Sequence, residues 1–165
     1  MALTEENYRN YDLDWFFLAG DKLCHAASSG GRLPSSFIPL LSEYSSLLQT
    51  VASMSSFYDV IINPFVIQLL DGDNNEIGMS IYLTTFKAMA SKGFYSFDRK
   101  NLQNPESNEY VLVANPAIEN EQCRNEYQKR IDLLKDIIPH VDELPNDCNV
   151  INLIDHFALK SRNKQ

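Results

Sequence analysis

Short apolar runs separated by turn residues dominate the first third of the chain. The runs at 13–18 and 22–27 flank Gly20, whose permissive backbone suits a tight turn, and they predict a β-hairpin. The polar stretch SSGGRLPSS at 28–36 is typical of a loop. From 37 to 54 the apolar residues recur at intervals of three and four, which predicts an amphipathic helix.

Strands and helices alternate through the rest of the chain. The runs FYDVII, FYSFDR and YVLVA predict strands near 57–62, 94–99 and 110–114. Apolar positions from 77 to 90 and from 119 to 138 follow a helical period, and Pro139 ends the second of these segments.

Three further segments carry weaker signals. The run FVIQLL at 65–70 fits a short strand or a short helix, and NVINLIDHFAL at 149–159 is expected to be helical. The stretch DGDNNE places Asp, Asp and Asn at 71, 73 and 75, like the start of a calcium loop. Glu76 stands where that loop needs glycine, so a solvated turn is the better interpretation.

These elements predict one α+β domain spanning residues 1–165, with frayed ends at 1–10 and 160–165. Hairpins imply antiparallel pairing, so we expect an antiparallel or mixed sheet of about five strands with three to four packed helices. No linker or repeat divides the chain.

The charge balance narrows the classes of partner. The chain has 14 Lys and Arg against 22 Asp and Glu, a formal charge of −8. Such a surface repels nucleic acid and anionic membranes and attracts a basic protein. No apolar run approaches the roughly 18 residues of a membrane-spanning helix. We therefore expect a protein partner, with no nucleic acid and no membrane.

The cysteines, at 24, 123 and 148, are three and widely spaced, without a CxxC motif. They indicate neither a disulfide framework nor a zinc site. The polar, acidic start MALTEENYRN lacks the pattern of a signal peptide. Together these features predict a cytoplasmic protein without a metal or cofactor.

A small hydrolase is the enzymatic alternative. Its nucleophile would be Cys24, or Ser28 or Ser29, with His25 as the base. Neighbouring residues on a strand point to opposite faces, however, so Cys24 and His25 are expected to diverge. A buried Cys24 acting as a small apolar residue is the favoured interpretation, and the sequence favours a non-enzymatic role.

A binding surface is predicted where acidic, aromatic and glycine-rich features meet. Two aspartates precede the first strand and share one of its faces, and consecutive glycines can turn backbone amides toward a ligand. An Asp–Arg pair ends a later strand and can tie loops together through Arg–carboxylate bonds. The predicted partner-binding residues are Asp12, Asp14, Trp15, Gly30, Gly31, Arg32, Asp98 and Arg99.

Three stretches, DLDWFF, HAASSGGRLP and FKAMASKGFYSFDR, resemble motifs in a group of small, acidic, uncharacterised bacterial proteins. Members of that group are found among toxin–immunity or mobile-element genes. The resemblance covers about a third of the chain and supplies no catalytic residues. It implies an immunity-like or antitoxin-like protein that neutralises a basic partner.

Three hypotheses therefore stand. The leading one is a non-enzymatic protein-binding domain of the immunity type. The others are the small hydrolase described above and a homo-oligomeric structural protein that uses a spare sheet edge. The sequence leaves open the identity of the partner, the oligomeric state, the convergence of the His and Cys residues, and which sheet face is exposed.

Overall fold

A computed structural model describes residues 3–70, 76–101, 103–104, 106–145 and 150–153. Over these ranges the chain forms one mixed sheet of seven strands together with four α-helices. This confirms the predicted α+β class, with two strands more than the sequence indicates. None of the helices within the described ranges is long and apolar enough to cross a membrane.

The strands are β1 (Asp14–Ala19), β2 (Lys22–Ala27), β3 (Val60–Ile62), β4 (Tyr95–Arg99), β5 (Glu109–Pro116), β6 (His140–Val141) and β7 (Val150–Asn152). The helices are α1 (Tyr44–Ser53), α2 (Pro64–Leu70), α3 (Glu76–Ser91) and α4 (Glu121–Leu134). Short 3-10 segments at Tyr8–Asn10 and Ile38–Glu43 precede β1 and α1.

The sheet runs in the order β3-β5-β4-β2-β1-β6, and β7 joins β5 off this path. The predicted β1–β2 hairpin is confirmed: it turns at Gly20, whose φ of 61° is a left-handed value that glycine adopts without strain. β2 pairs with β4 in parallel, and β4 pairs with β5 antiparallel. The hairpin therefore lies near the middle of the sheet.

Strand pairing divides the aromatic residues between two buried faces. Phe16 contacts His25, which in turn contacts Phe86 of α3, so α3 covers this face. On the opposite face the centroid of the Trp15 ring lies 5.0 Å from that of Phe17 and 6.2 Å from that of Phe37. Trp15, Phe16 and Phe17 are all fully buried. The run WFF thus serves two cores, one on each side of the sheet.

Several local predictions need correction. The predicted helix at 37–54 starts as a 3-10 segment and becomes α-helical only at Tyr44. The strand predicted at 57–62 is limited to Val60–Ile62. The run at 65–70, which fits either a strand or a helix, is helical and belongs to α2. The helix predicted at 119–138 ends at Leu134.

The chain's carboxyl-terminal part differs most from expectation. Val150–Asn152 pairs with β5 as a strand, so the predicted helix is wrong there, because hydrogen bonds to a sheet edge override a weak helical pattern. The rest of that predicted helix and the frayed end at 160–165 lie outside the described residues. So does the calcium-like stretch at 71–75.

Candidate functional site

An open cleft lies between the end of the β1–β2 hairpin, β4 and α3, with a volume of about 370 Å³. We call it the acidic cleft, because three aspartates from two chain segments line it: Asp12 and Asp14 around the start of β1, and Asp98 in β4. Its lining residues are Asp12, Asp14, Ala27, Ser29, Tyr82, Thr85, Phe86 and Asp98. The strand register explains the convergence: Asp14 stands opposite Ala27, and β4 runs beside β2 toward Asp98.

Asp14 is held by a buried histidine. His25 Nε2 lies 2.9 Å from Asp14 Oδ1, and His25 Nδ1 lies 2.6 Å from Ser96 Oγ. His25 and Ser96 are 0% exposed, whereas the Asp14 side chain is 33% exposed. The imidazole therefore fixes the orientation of a carboxylate that still reaches solvent.

Asp12 is held by the loop that follows the hairpin. Its Oδ1 accepts a 2.6 Å hydrogen bond from the backbone N–H of Ser29. Ser29 has a φ of 47°, a left-handed value that is uncommon outside glycine. This turn brings the Ser29 amide to Asp12, so both residues belong to the lining of the cleft.

Asp98 forms the buried floor of the cleft. Its Oδ2 accepts a 2.8 Å hydrogen bond from the Tyr82 hydroxyl, and its Oδ1 accepts one of 2.8 Å from the Arg99 amide. Burial raises the pKa of Asp98, and the charge of Asp12 adds to the rise; the two hydrogen bonds oppose it. Asp98 therefore holds its proton to higher pH than an ordinary aspartate.

Two aromatic rings complete the wall on the α3 side. The Tyr82 and Phe86 ring centroids lie 5.2 Å apart, and both rings line the cleft beside the carboxylates. Carboxylates together with aromatic faces suit an organic cation such as a guanidinium or ammonium group.

Among the described residues, no group of three His, Cys, Asp or Glu side chains is arranged to hold a metal ion.

The residues of the hydrolase hypothesis do not meet. Cys24 is fully buried on the sheet face opposite to His25, and burial raises the pKa of its thiol. The Ser28 hydroxyl accepts a hydrogen bond from the Leu13 backbone N–H, and Ser29 donates its own backbone N–H to Asp12. The predicted divergence of Cys24 and His25 is confirmed by the strand alternation.

A serine–histidine–aspartate chain does exist, but it joins Ser96, His25 and Asp14. A nucleophilic serine must reach a substrate carbonyl. Ser96 is 0% exposed, between sheet and helix, so its hydroxyl has no path to a substrate. The chain of hydrogen bonds therefore acts as a support for Asp14.

The other predicted binding residues lie away from the cleft lining. Trp15 is 0% exposed and cannot contact a partner. Arg99 is also buried, and its guanidinium donates to the carbonyls of Asn104 and Ser107, the latter at 2.8 Å, rather than to a carboxylate of the cleft.

The glycine loop has a packing role. Gly31 is buried against the Arg99 guanidinium, and Gly30 adopts a left-handed φ of 72°. Arg32 is exposed, outside the cleft lining. Of the eight predicted residues, the structure thus brings together the three aspartates.

Sequence reasoning missed the contributions of α3 and Ser96. The sequence predicts Tyr82 and Phe86 only as members of the helical stripe at 77–90 and gives them no part in a site. The available signal was the phenol of Tyr82, since a buried tyrosine hydroxyl needs a polar partner. Nothing local in the sequence pairs Ser96 with His25, because that contact depends on the parallel β2–β4 pairing.

Compared with family models, with curated proteins and with solved structures, the chain shows no match.

Proposed function

We propose that this chain is a non-enzymatic protein-binding domain that neutralises a basic partner protein, in the manner of an immunity protein or antitoxin. The observation that carries the proposal is the convergence of Asp12, Asp14 and Asp98 in one open cleft. Each carboxylate is oriented by a donor from another residue: Ser29, His25 and Tyr82, respectively.

Charge and shape support a cationic side chain as the bound group. The whole chain carries a formal charge of −8, which accelerates encounter with a basic protein. An arginine or lysine that enters the cleft meets carboxylates and the rings of Tyr82 and Phe86. The same carboxylates repel phosphate groups, which argues against a nucleic-acid ligand.

The experiment compares three baits. The tagged wild-type protein, the double variant Asp12→Asn/Asp14→Asn and the control Glu119→Gln/Asp136→Asn are each incubated with lysate of the source organism. Both double variants remove two negative charges, but Glu119 and Asp136 are exposed residues outside the cleft lining. Asparagine at 14 retains an oxygen that can accept from His25.

We expect one basic protein in stoichiometric amount on the wild-type and control baits and its loss from the cleft variant. Reversal of both aspartates to lysine should weaken binding further. The immunity role additionally requires that the partner is toxic when expressed alone and harmless when co-expressed with this chain. A partner that the cleft variant retains at wild-type level would contradict the proposal. If the purified protein instead captured no partner and its apparent mass on a sizing column rose with its concentration, the homo-oligomer hypothesis would be favoured.

A further inference from the structure

Helix α3 carries an apolar ridge beside the acidic cleft. Ile77 and Ile81 are 73% and 70% exposed, and they lie four residues apart on one face of the helix. Thr85 is one turn further along the same face, and it lines the cleft. The ridge Ile77–Ile81–Thr85 therefore leads directly into the cleft.

The part of α3 that carries the ridge contains no charged residue, although Glu76 directly precedes it and Lys87 follows it. No charged residue occurs between Ile77 and Phe86, although charged residues make up 22% of the chain. A solvent-facing helix normally carries charged side chains on its outer face. Large exposed apolar side chains next to a polar recess are typical of an interaction surface, with an apolar centre and a charged rim.

We propose that the ridge and the acidic cleft form one docking surface for an amphipathic helix of the partner protein. Apolar side chains of that helix pack on Ile77 and Ile81, and one of its basic side chains enters the cleft. This inference rests on the proposed function and adds the chemistry of the bound segment.

Charge complementarity selects this occupant. Ile81 and Thr85 are one helical turn apart, about 6 Å, and Ile77 lies about 12 Å from Thr85. A helix packed along α3 meets both isoleucines and the cleft if its basic residue lies one or two turns from its apolar anchors. A second copy of this chain is a poor occupant, because it would bring another −8 charge toward the same carboxylates.

The test uses an unbiased library of helical peptides of about five turns, or roughly 18 residues, displayed and selected on the immobilised full-length protein. Selected sequences are expected to share a Lys or Arg one or two turns from a pair of apolar residues. A selected peptide that is then synthesised should bind the Ile81→Ser variant about tenfold or more weakly than it binds the wild-type protein. The same loss is expected with the Asp12→Asn/Asp14→Asn variant. Leu133→Ser is the control, since Leu133 is an exposed apolar residue on α4.

Four outcomes would overturn the inference. Selected peptides could lose affinity for Asp12→Asn/Asp14→Asn but bind Ile81→Ser as tightly as wild type. That result would support the proposed function and show that the ridge takes no part in binding. Selected peptides that need Ile81 but contain no basic residue would show that the ridge and the acidic cleft do not bind one helix together. The absence of any enriched helix would do the same. A dimer in sedimentation that Ile81→Ser abolishes would assign the ridge to a second copy.

Discussion

His25 Nε2 lies 2.9 Å from Asp14 Oδ1, so a fully buried imidazole directly supports a carboxylate of the acidic cleft. The other ring nitrogen meets Ser96 Oγ at 2.6 Å. In the tautomer that carries the proton on Nε2, the ring donates a hydrogen bond to the Asp14 carboxylate, and its Nδ1 accepts a hydrogen bond from the Ser96 hydroxyl. The cleft is therefore built outward from a hydrogen-bonded core, and its geometry depends on that core.

Replacement of His25 by alanine should destabilise the fold. The variant leaves the buried Ser96 hydroxyl without its partner and opens a cavity beside Phe16 and Phe86. We expect the free energy of unfolding in urea to fall by about 2–4 kcal/mol. His140→Ala is the control, because His140 is exposed, and it should cost about 1 kcal/mol or less. A His25→Ala variant of wild-type stability that had lost an enzymatic activity would revive the hydrolase hypothesis.

The raised pKa of Asp98 makes stability depend on pH in a defined direction. Burial raises this pKa above its ordinary value near 3.8, so the folded chain retains the proton where the unfolded chain has lost it. The contribution of Asp98 to stability is therefore fully present at lower pH. It is lost as the pH rises through the folded pKa.

Paired urea titrations of wild type and Asp98→Asn between about pH 3 and pH 7 measure this effect, because both chains share every other titrating group. We expect the free energy of unfolding of wild type, relative to the variant, to decline as the pH rises above the ordinary aspartate pKa and to level off once the folded-state pKa has been passed. Tyr82→Phe removes the hydroxyl that lowers the Asp98 pKa, so it should extend the decline to higher pH. A difference that stayed constant or rose with pH would contradict the account.

The hairpin and its two faces could be predicted from the sequence, because alternation and the turn at Gly20 are local properties. The acidic cleft could be predicted only in part. Asp12 and Asp14 are close in sequence, whereas Asp98 joins them through the parallel pairing of β2 with β4. That pairing brings His25 to Ser96 across 71 residues, and no local pattern encodes it. The mistaken helix at Val150–Asn152 has the same cause, since its partner strand is distant.

Gly31 should tolerate no side chain while Arg99 is present. A Cβ at Gly31 would lie 2.7 Å from Arg99 Cζ and closer still to Nη1, and the guanidinium is held by the carbonyls of Asn104 and Ser107. Gly31→Ala should lower the free energy of unfolding by about 1–3 kcal/mol. In an Arg99→Met background the same change should cost less, because the blocking group is gone. Equal costs in both backgrounds would show that the clash is absent.

Arg130 joins the ends of two helices that are distant in sequence. Its Nη1 donates to the Ser55 carbonyl at 2.9 Å, just beyond α1, and to the Lys92 carbonyl at 2.6 Å, just beyond α3. The guanidinium carbon also lies 5.1 Å from the centre of the Tyr58 ring. A cation placed at helix carboxyl ends satisfies carbonyls that have no partner within the helix and opposes the helix dipoles.

Arg130→Met keeps an apolar stem but removes these donors, so we expect the free energy of unfolding to fall by about 2–4 kcal/mol. Lys129→Met is the matched control. Both cations pair with Glu126, Arg130 at 3.2 Å and Lys129 at 3.6 Å, but the Lys129 side chain is 76% exposed. An exposed pair of this kind contributes about 0–1 kcal/mol. If urea denaturation showed similar losses for the two variants, Arg130 would not be the tie between α1, α3 and α4. A much larger loss for Arg130→Met would establish that the helices covering the sheet depend on one buried cation.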